Sequence, residues 1–351
     1  MTNWENVTVT RIDLLVGVVC AVGASTASGH HAPIIFDQDN VVSIQGTISR
    51  FDWSNPHVYV FVEGVGPTGD AVEWQLETDA TPILLRNGWT RESLRPGDRV
   101  SARAHPDRVS ERAHGLLIEI EKADGRILSP TAGLPGGVRP DSAATSLDGY
   151  WEQRFETFAR LNAIVPGIAV TEQGAAAKAA YDIRTENPMA RCIPYPPPVV
   201  VGLPQYVNEI EVLDDRVIFR LEFYGVERVV YMDGRSHPES GERTVQGHSI
   251  GRWESDNVLV VDTTLFADHR STFPGSGLPS GADKHVVERY ALSDDGSRIM
   301  IEFTLEDPEY LAEPFTGTLE WNHAPHLDFS PFDCDSGQAT RFMREPPEDS
   351  R

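Results

Sequence analysis

The chain has 351 residues, enough for two domains with cores of their own, and 40% of them are hydrophobic, the proportion of a folded protein. Thirty Lys and Arg stand against 53 Asp and Glu, a formal net charge of -23. So acidic a surface repels phosphate backbones and anionic lipids, which argues against nucleic acid and membrane surfaces as partners and leaves solubility as the plain reading of the charge.

In chain order, the first expected element is a targeting segment. Arg11 precedes a short apolar run, Leu14 to Val22, and small residues follow from Gly23 to Gly29. A basic flank, an apolar stretch too short for a bilayer and a small-residue cleavage region form the layout of a secretory signal, although Glu5 and Asp13 fit the flank poorly. The expectation is a signal over residues 1–29 and a periplasmic or secreted mature protein beginning between Ser28 and His31; the alternative is an uncleaved anchor or a buried strand. No later stretch is long and apolar enough to cross a membrane, so none is expected after signal removal. Removing the segment takes Cys20 and leaves Cys192 and Cys334, an even pair that reads as one disulfide in an exported chain. Two free, partly buried thiols are the alternative, since sequence carries no distance between them.

The first domain is expected over residues 30–128. Strand patterns run over Val41 to Trp53, His57 to Glu63 and Ala71 to Thr78, with a turn at Ser54-Asn55-Pro56. Asp79 is the expected cap of a short helix, Ala80 to Asn87, ended by Gly88. Arg99 to His105 and Leu116 to Lys122 add two strands. Three strands, a helix and two strands is the order of a small five-stranded Greek-key barrel of the oligonucleotide/oligosaccharide-binding type. Without a basic groove, a nucleic-acid ligand is not expected.

Residues 129–146 (SPTAGLPGGVRPDSAATS) read as a linker, rich in Pro, Gly, Ala and Ser without hydrophobic periodicity. The second domain is expected over 147–351. One clear helix runs from Thr171, its cap, to Ile183. Strands follow over Asn208 to Leu213, Arg216 to Phe223, Val226 to Met232, Gln246 to Glu254, Val258 to Thr264, His285 to Leu292, Arg298 to Leu305 and Thr316 to Trp321. This succession predicts an all-β, up-and-down antiparallel barrel of the lipocalin/calycin kind, able to enclose a ligand. The Gly/Pro/Ser-rich loop from Leu265 to Lys284 has the length of a lid or binding loop.

Two stretches resemble known families. His30-His31 after a signal, with Trp53-Ser54-Asn55-Pro56-His57, resembles an uncharacterised family of small exported bacterial domains, with Ala32 where that family often has Ser. Gly247-His248-Ser249-Ile250-Gly251-Arg252-Trp253-Glu254 followed by Val258-Leu259-Val260-Val261-Asp262-Thr263 is similar to a second uncharacterised family, as are Tyr231-Met232-Asp233-Gly234-Arg235, Val287-Glu288-Arg289 and Asp307-Pro308. Ser255 departs from the Gly often found there. The resemblances imply bacterial export and a shared site, not a reaction.

The candidate chemistry lies mostly in the second domain. Asp262, His285, His269 and Glu288 are the expected catalytic groups, with His248, Arg252, Trp253, Arg289 and Glu302 as ligand contacts. Strand alternation sets His248, Ile250, Arg252 and Glu254 on one face and Ser249, Gly251 and Trp253 on the other. A two-residue turn after Glu254 sends Asp262 inward with Gly251 and Trp253; a three-residue loop sets it beside His248 and Arg252, and sequence does not decide. Histidine and carboxylate in a cavity are the parts of an acid–base site, but the same residues also build structural ion networks. In the first domain, His30, His31 and His57 could bind copper or zinc through imidazole nitrogen. No phosphate loop, dinucleotide fingerprint or nucleophile elbow is present, so no cofactor is expected beyond such a metal. The expected functions are binding of a small apolar molecule inside the second barrel, acid–base catalysis (lyase, isomerase or hydrolase) in the same cavity, or periplasmic metal handling.

Overall fold

The structure, a computed structural model, describes residues 35–131, 143–270, 273 and 276–341. The expected signal, His30, His31 and most of the expected linker lie outside the described residues. No helix among the described residues is long and apolar enough to cross a membrane.

The first unit is built from β1 (Val42–Asp52), β2 (Tyr59–Val65), β3 (Ala71–Glu77), α1 (Thr81–Arg86), β4 (Arg99–Pro106), β5 (His114–Lys122) and the short β6 (Ile127–Leu128). Strands run in the order β3-β2-β1-β4-β5, closed by a parallel pairing of β3 with β5, which makes the expected five-stranded barrel. β1 serves two neighbours: its first half pairs with β4 and its second with β2, across a register shift between Ile48 and Arg50. Gly46 sits where it does both, and a Cβ there would lie 2.1 Å from the Glu63 carbonyl oxygen, so only glycine fits. Inward residues such as Ile44, Ile48, Val60, Trp74 and Leu76 form the core. The expected cap of α1 is corrected. Its N-cap is Ala80, without a side-chain bond, and Asn55 Oδ1 instead accepts from the Thr81 amide (2.8 Å) and hydroxyl (3.0 Å). Asp79 lines a crevice of about 60 Å³ between the two barrels, beside His57 and Tyr206. Burial, and then the charge of Glu77, raise its carboxyl to about 7.

The second unit is a closed ring of nine strands: β7 (Gly149–Gln153), β8 (Val207–Val212), β9 (Arg216–Leu221), β10 (Val226–Tyr231), β11 (His248–Ser255), β12 (Val258–Thr264), β13 (His285–Leu292), β14 (Arg298–Glu306) and β15 (Phe315–His323). The strand not foreseen, β7, pairs with both β15 and β8 and so closes the ring. Neighbours are antiparallel except β10 and β11, which meet in parallel through Val230↔Ser249 and Tyr231↔Ile250. Parallel neighbours need a crossover, and residues 232–247 provide it. Helix α2 (Phe155–Ile164) was not expected; it starts without a side-chain cap and packs Phe158 and Leu161 along β15. Helix α3 (Glu172–Ala180) is capped as foreseen, Thr171 Oγ1 accepting from the Gly174 amide at 3.0 Å, but it stops short of Ile183 because Tyr181 is extended.

Chain fills the part of the barrel expected to hold a ligand. The turn Val199–Gly202 is buried, with Val199, Val200 and Val201 at most 1% exposed. Val201 accepts from the Trp321 indole at 2.8 Å, and a Cβ on Gly202 would lie 3.0 Å from Leu319.

Two features join the units. Glu222, fully buried, takes a bidentate pair from Arg86 (3.0 and 2.8 Å) and also accepts from the amides of Val207 and Ser330. Cys192 and Cys334 form the disulfide, 142 residues apart in sequence, and the tail beyond it pairs Asp335 N–H with the Asn55 carbonyl at 2.9 Å. Closing so long a loop restricts the unfolded chain, worth about 5 kcal/mol in the chain-entropy model. Urea unfolding of the Cys192→Ser, Cys334→Ser double variant should show a loss of about that size or somewhat less; unchanged stability would mean the cross-link closes nothing that the fold does not already hold. Arg86→Met should lower stability by about 3–5 kcal/mol, because it leaves the buried Glu222 carboxylate uncompensated.

Candidate functional site

The register of the β11–β12 hairpin decides where Asp262 goes. Trp253 pairs with Leu259 and Ser255 with Val258, so Glu254 is an extra residue, a bulge. Asp262 therefore stands opposite Ile250, on the side of His248. On β12 and β13, Leu259, Val261, Thr263, Val286, Glu288 and Tyr290 are buried, and alternation turns Asp262 and His285 onto the outer wall. The crossover lays His237 against them.

These residues form one hydrogen-bonded series. His248 Nδ1 lies 2.9 Å from His237 Nδ1, and His237 Nε2 lies 3.1 Å from Asp262 Oδ1. The same oxygen is 2.9 Å from His285 Nε2, and His285 Nδ1 is 3.2 Å from Glu306 Oε2. Carboxylates only accept, so His285 donates from both nitrogens and is an imidazolium. His237 donates to Asp262 through Nε2, which leaves its Nδ1 to accept from His248 and leaves His248 Nε2 without a proton. These proton positions follow from the bonding pattern. The electrostatics agree. Burial works against charge on His285, but the bonds to Asp262 and Glu306 outweigh it and hold its pKa above the ordinary value. Burial, followed by the neighbouring His237 and Arg235, holds His248 below its ordinary value. Tyr231 stacks on the His248 ring at 5.4 Å, and Arg235 covers Tyr231 at 3.9 Å.

Beside the series runs a groove of about 690 Å³ between α2 and the outer wall of β13–β15. Val287, Thr304 and Thr316 form its floor, with the Arg289–Glu302 pair and Ile164 at its sides. Asp262, Val287, Thr304 and Thr316 are successive cross-strand partners, so the row that makes the floor continues past Val287 to Asp262, which adjoins the groove without lining it.

Several expected site residues are elsewhere. Glu288 is inside the barrel, 2.5 Å from Arg228, with its other oxygen accepting from Tyr290 at 3.0 Å. Arg228 also donates to Ser249 (3.0 Å) and Thr263 (2.6 Å). His269 is buried near Tyr195, its backbone paired with Ser280. Arg252, Glu254, Arg289 and Glu302 make exposed ion pairs across the outer wall, the structural network weighed as the alternative. Trp253 has inward parity but is 40% exposed at the end of β11. His57 lies in the first unit, its Nδ1 3.0 Å from the Thr78 carbonyl oxygen and 3.6 Å from Glu77. His237 and Glu306 were missed: His237 stands in an aperiodic Ser/Pro/Gly stretch, where no pattern places a side chain. Among the described residues no group of three His, Cys, Asp or Glu is arranged to hold a metal; the imidazoles bond in series instead of converging.

Asp262→Asn should lower the His285 pKa, read by NMR titration of the imidazole. A raised folded pKa stabilises the fold fully below the unfolded value of about 6.5 and loses that contribution as pH rises through the folded one. That part of the pH dependence should shrink in the variant. Identical His285 titrations in the two proteins would mean the series does not form in solution.

No curated protein sequence matches the chain. Among solved structures it is similar to a luciferase domain from the dinoflagellate Lingulodinium polyedrum, with a TM-score of 0.25 and 14% identity over 57% of this chain and 48% of that one. The chain thus spans about half the length of that structure. A family described as a family of unknown function (DUF6152) matches residues 17–117, a stretch that takes in the first barrel as far as the middle of β5.

Proposed function

We propose that the second barrel carries an acid–base site on its outer wall, where a small polar molecule seated in the groove beside α2 exchanges a proton with His248 or His285. One observation carries the reading: two histidines with pKa values displaced in opposite directions are joined through His237 and Asp262. One is poised as a base with a bare Nε2 and the other as an acid, the pairing that general acid–base catalysis uses near neutral pH. A proton taken up at His248 Nε2 can be passed on, the Nδ1 proton moving to His237 and the His237 Nε2 proton to Asp262, where the relay stops because both His285 nitrogens already carry protons. Arg289 stands on the groove wall, a cation for substrate charge, although Glu254 and Glu302 share it. The reading needs no cofactor.

Two further points support it. The segments resembling the second uncharacterised family supply Tyr231, His248 and Asp262, as a shared site would require. Export fits the disulfide and the signal-like N-terminus, so the substrate is one met outside the cytoplasm. The competing reading, a binding module for an apolar ligand inside the barrel, has less support because Val199–Gly202 fills the apolar part of the interior beside Leu319 and Trp321.

The test begins with NMR screening of small hydroxylated and carboxylated compounds for contacts to Val287, Thr304 and Thr316. Solvent-deuterium exchange into any that bind then reports proton transfer. His248→Gln and Asp262→Asn should slow exchange about a hundredfold or more while affinity stays within about tenfold. Binding without exchange in the wild type would leave a binding site only.

A further inference from the structure

Lysine is rare in this chain: Lys122, Lys178 and Lys284 are the only three, against 27 arginines. Lys122 follows the usual pattern, donating to Ser93 (2.9 Å) and Asp98 (3.0 Å) at the surface. Lys284 does not. It is 1% exposed, immediately before β13, and because His285 faces out its side chain enters the barrel. Its ammonium nitrogen lies 4.5 Å above the Phe266 ring and has no hydrogen-bond partner among the described residues.

The groups that face it come from three strands and their ends. They are Arg228 on β10, Glu288 on β13 and Asp307 just past β14. Arg228 Nη1 and Asp307 Oδ1 are likewise buried without a bonded partner, as is Ser280 Oγ. Buried water is the ordinary way to satisfy such atoms. It does not explain why the one buried cation that makes no hydrogen bond among the described residues is lysine, in a chain that otherwise chooses arginine nine times in ten. Arginine keeps its proton in every setting, whereas lysine can release its own and become a nucleophile. Burial brings the Lys284 amine down to about 7, against Asp307 and Glu288, which pull it up, and with Arg228, which pushes it down.

We propose that Lys284 is a carbonyl-binding amine, which condenses with a small aldehyde or ketone inside the barrel. The amine lone pair attacks the carbonyl carbon, the C=O pair moves onto oxygen, and a proton passes from nitrogen to oxygen to give a carbinolamine. Asp307, whose carboxyl burial raises above the usual range, then protonates the hydroxyl, which leaves as water. A protonated imine remains, paired with the Asp307 carboxylate; amine, carbonyl and acid have become iminium, water and carboxylate. The unmatched Arg228 N–H is available to the oxygen while it carries negative charge. This site is on the inner face, and it stands or falls independently of the outer-wall histidines.

The scarcity of lysine makes the test clean. The wild-type protein is treated at pH 7 with acetaldehyde and cyanoborohydride, which reduces imines to stable secondary amines, and is then mapped by peptide mass spectrometry. An ordinary lysine is neutral in only about one molecule in 2,500 at that pH. Lys284 should be ethylated about tenfold or more faster than Lys122 and Lys178, and the excess should fall away at pH 5, where its amine protonates. Labelling of Lys284 no faster than the other two, at pH 7 in folded protein, would overturn the proposal. Lys284→Met keeps the side-chain volume and removes the amine; it should lose the fast label while the His285 titration is unchanged, which separates this site from the acid–base one.

Discussion

A single extra residue, Glu254, sets the chemistry of the second barrel. Side chains alternate along a strand, so one residue of slip exchanges the two walls. With the bulge, Asp262 reaches His237 and His285 outside, while Thr263 reaches Arg228 inside. Without it, the carboxylate would enter the interior beside Glu288, and Arg228 would lose a hydroxyl it depends on. Arg228 and Glu288 are almost fully buried, and such a pair gains from each hydrogen bond made to its surplus atoms, of which Ser249 and Thr263 supply two and Tyr290 a third. The inner ion pair and the outer histidine series are thus two results of one register.

The same alternation divides neighbours in sequence. Lys284 and His285 are adjacent yet occupy opposite walls, one in a desolvated interior where charge is costly, the other on a partly wet surface between two carboxylates. Burial opposes charge in both, and the bonded carboxylates reverse the outcome only for His285. In the first barrel, the Trp53–His57 stretch has a structural use: Asn55 caps α1 and receives the tail that follows Cys334. That accounts for a sequence signature there without assigning it a reaction.

Strands were legible where alternation was regular and turns were marked. β12 and β13 begin and end where their patterns do, and the disulfide followed from counting cysteines once a signal was assumed. β7 was hidden because it offers five residues, Gly149–Gln153, directly after a linker-like stretch. α2 was hidden because Arg154 stands where a capping Ser, Thr or Asp would announce it. The side on which Asp262 falls could not be read, since a bulge leaves no periodic trace. The filled interior could not be read either, because Val199–Gly202 looks like any short apolar run among prolines.

The ring is not equally firm all round. β10 and β11 share two residue pairs, fewer than any other neighbours in it, so the strand backbone beyond Ile250 has no ladder partner on that side. Separating these strands breaks the fewest hydrogen bonds, and amide exchange should be fastest along this line. The line passes Arg228 and Ser249, so the interior polar groups sit behind the weakest part of the wall. A barrel closed in this way has a built-in direction of breathing, and solvent or a small solute would enter along it.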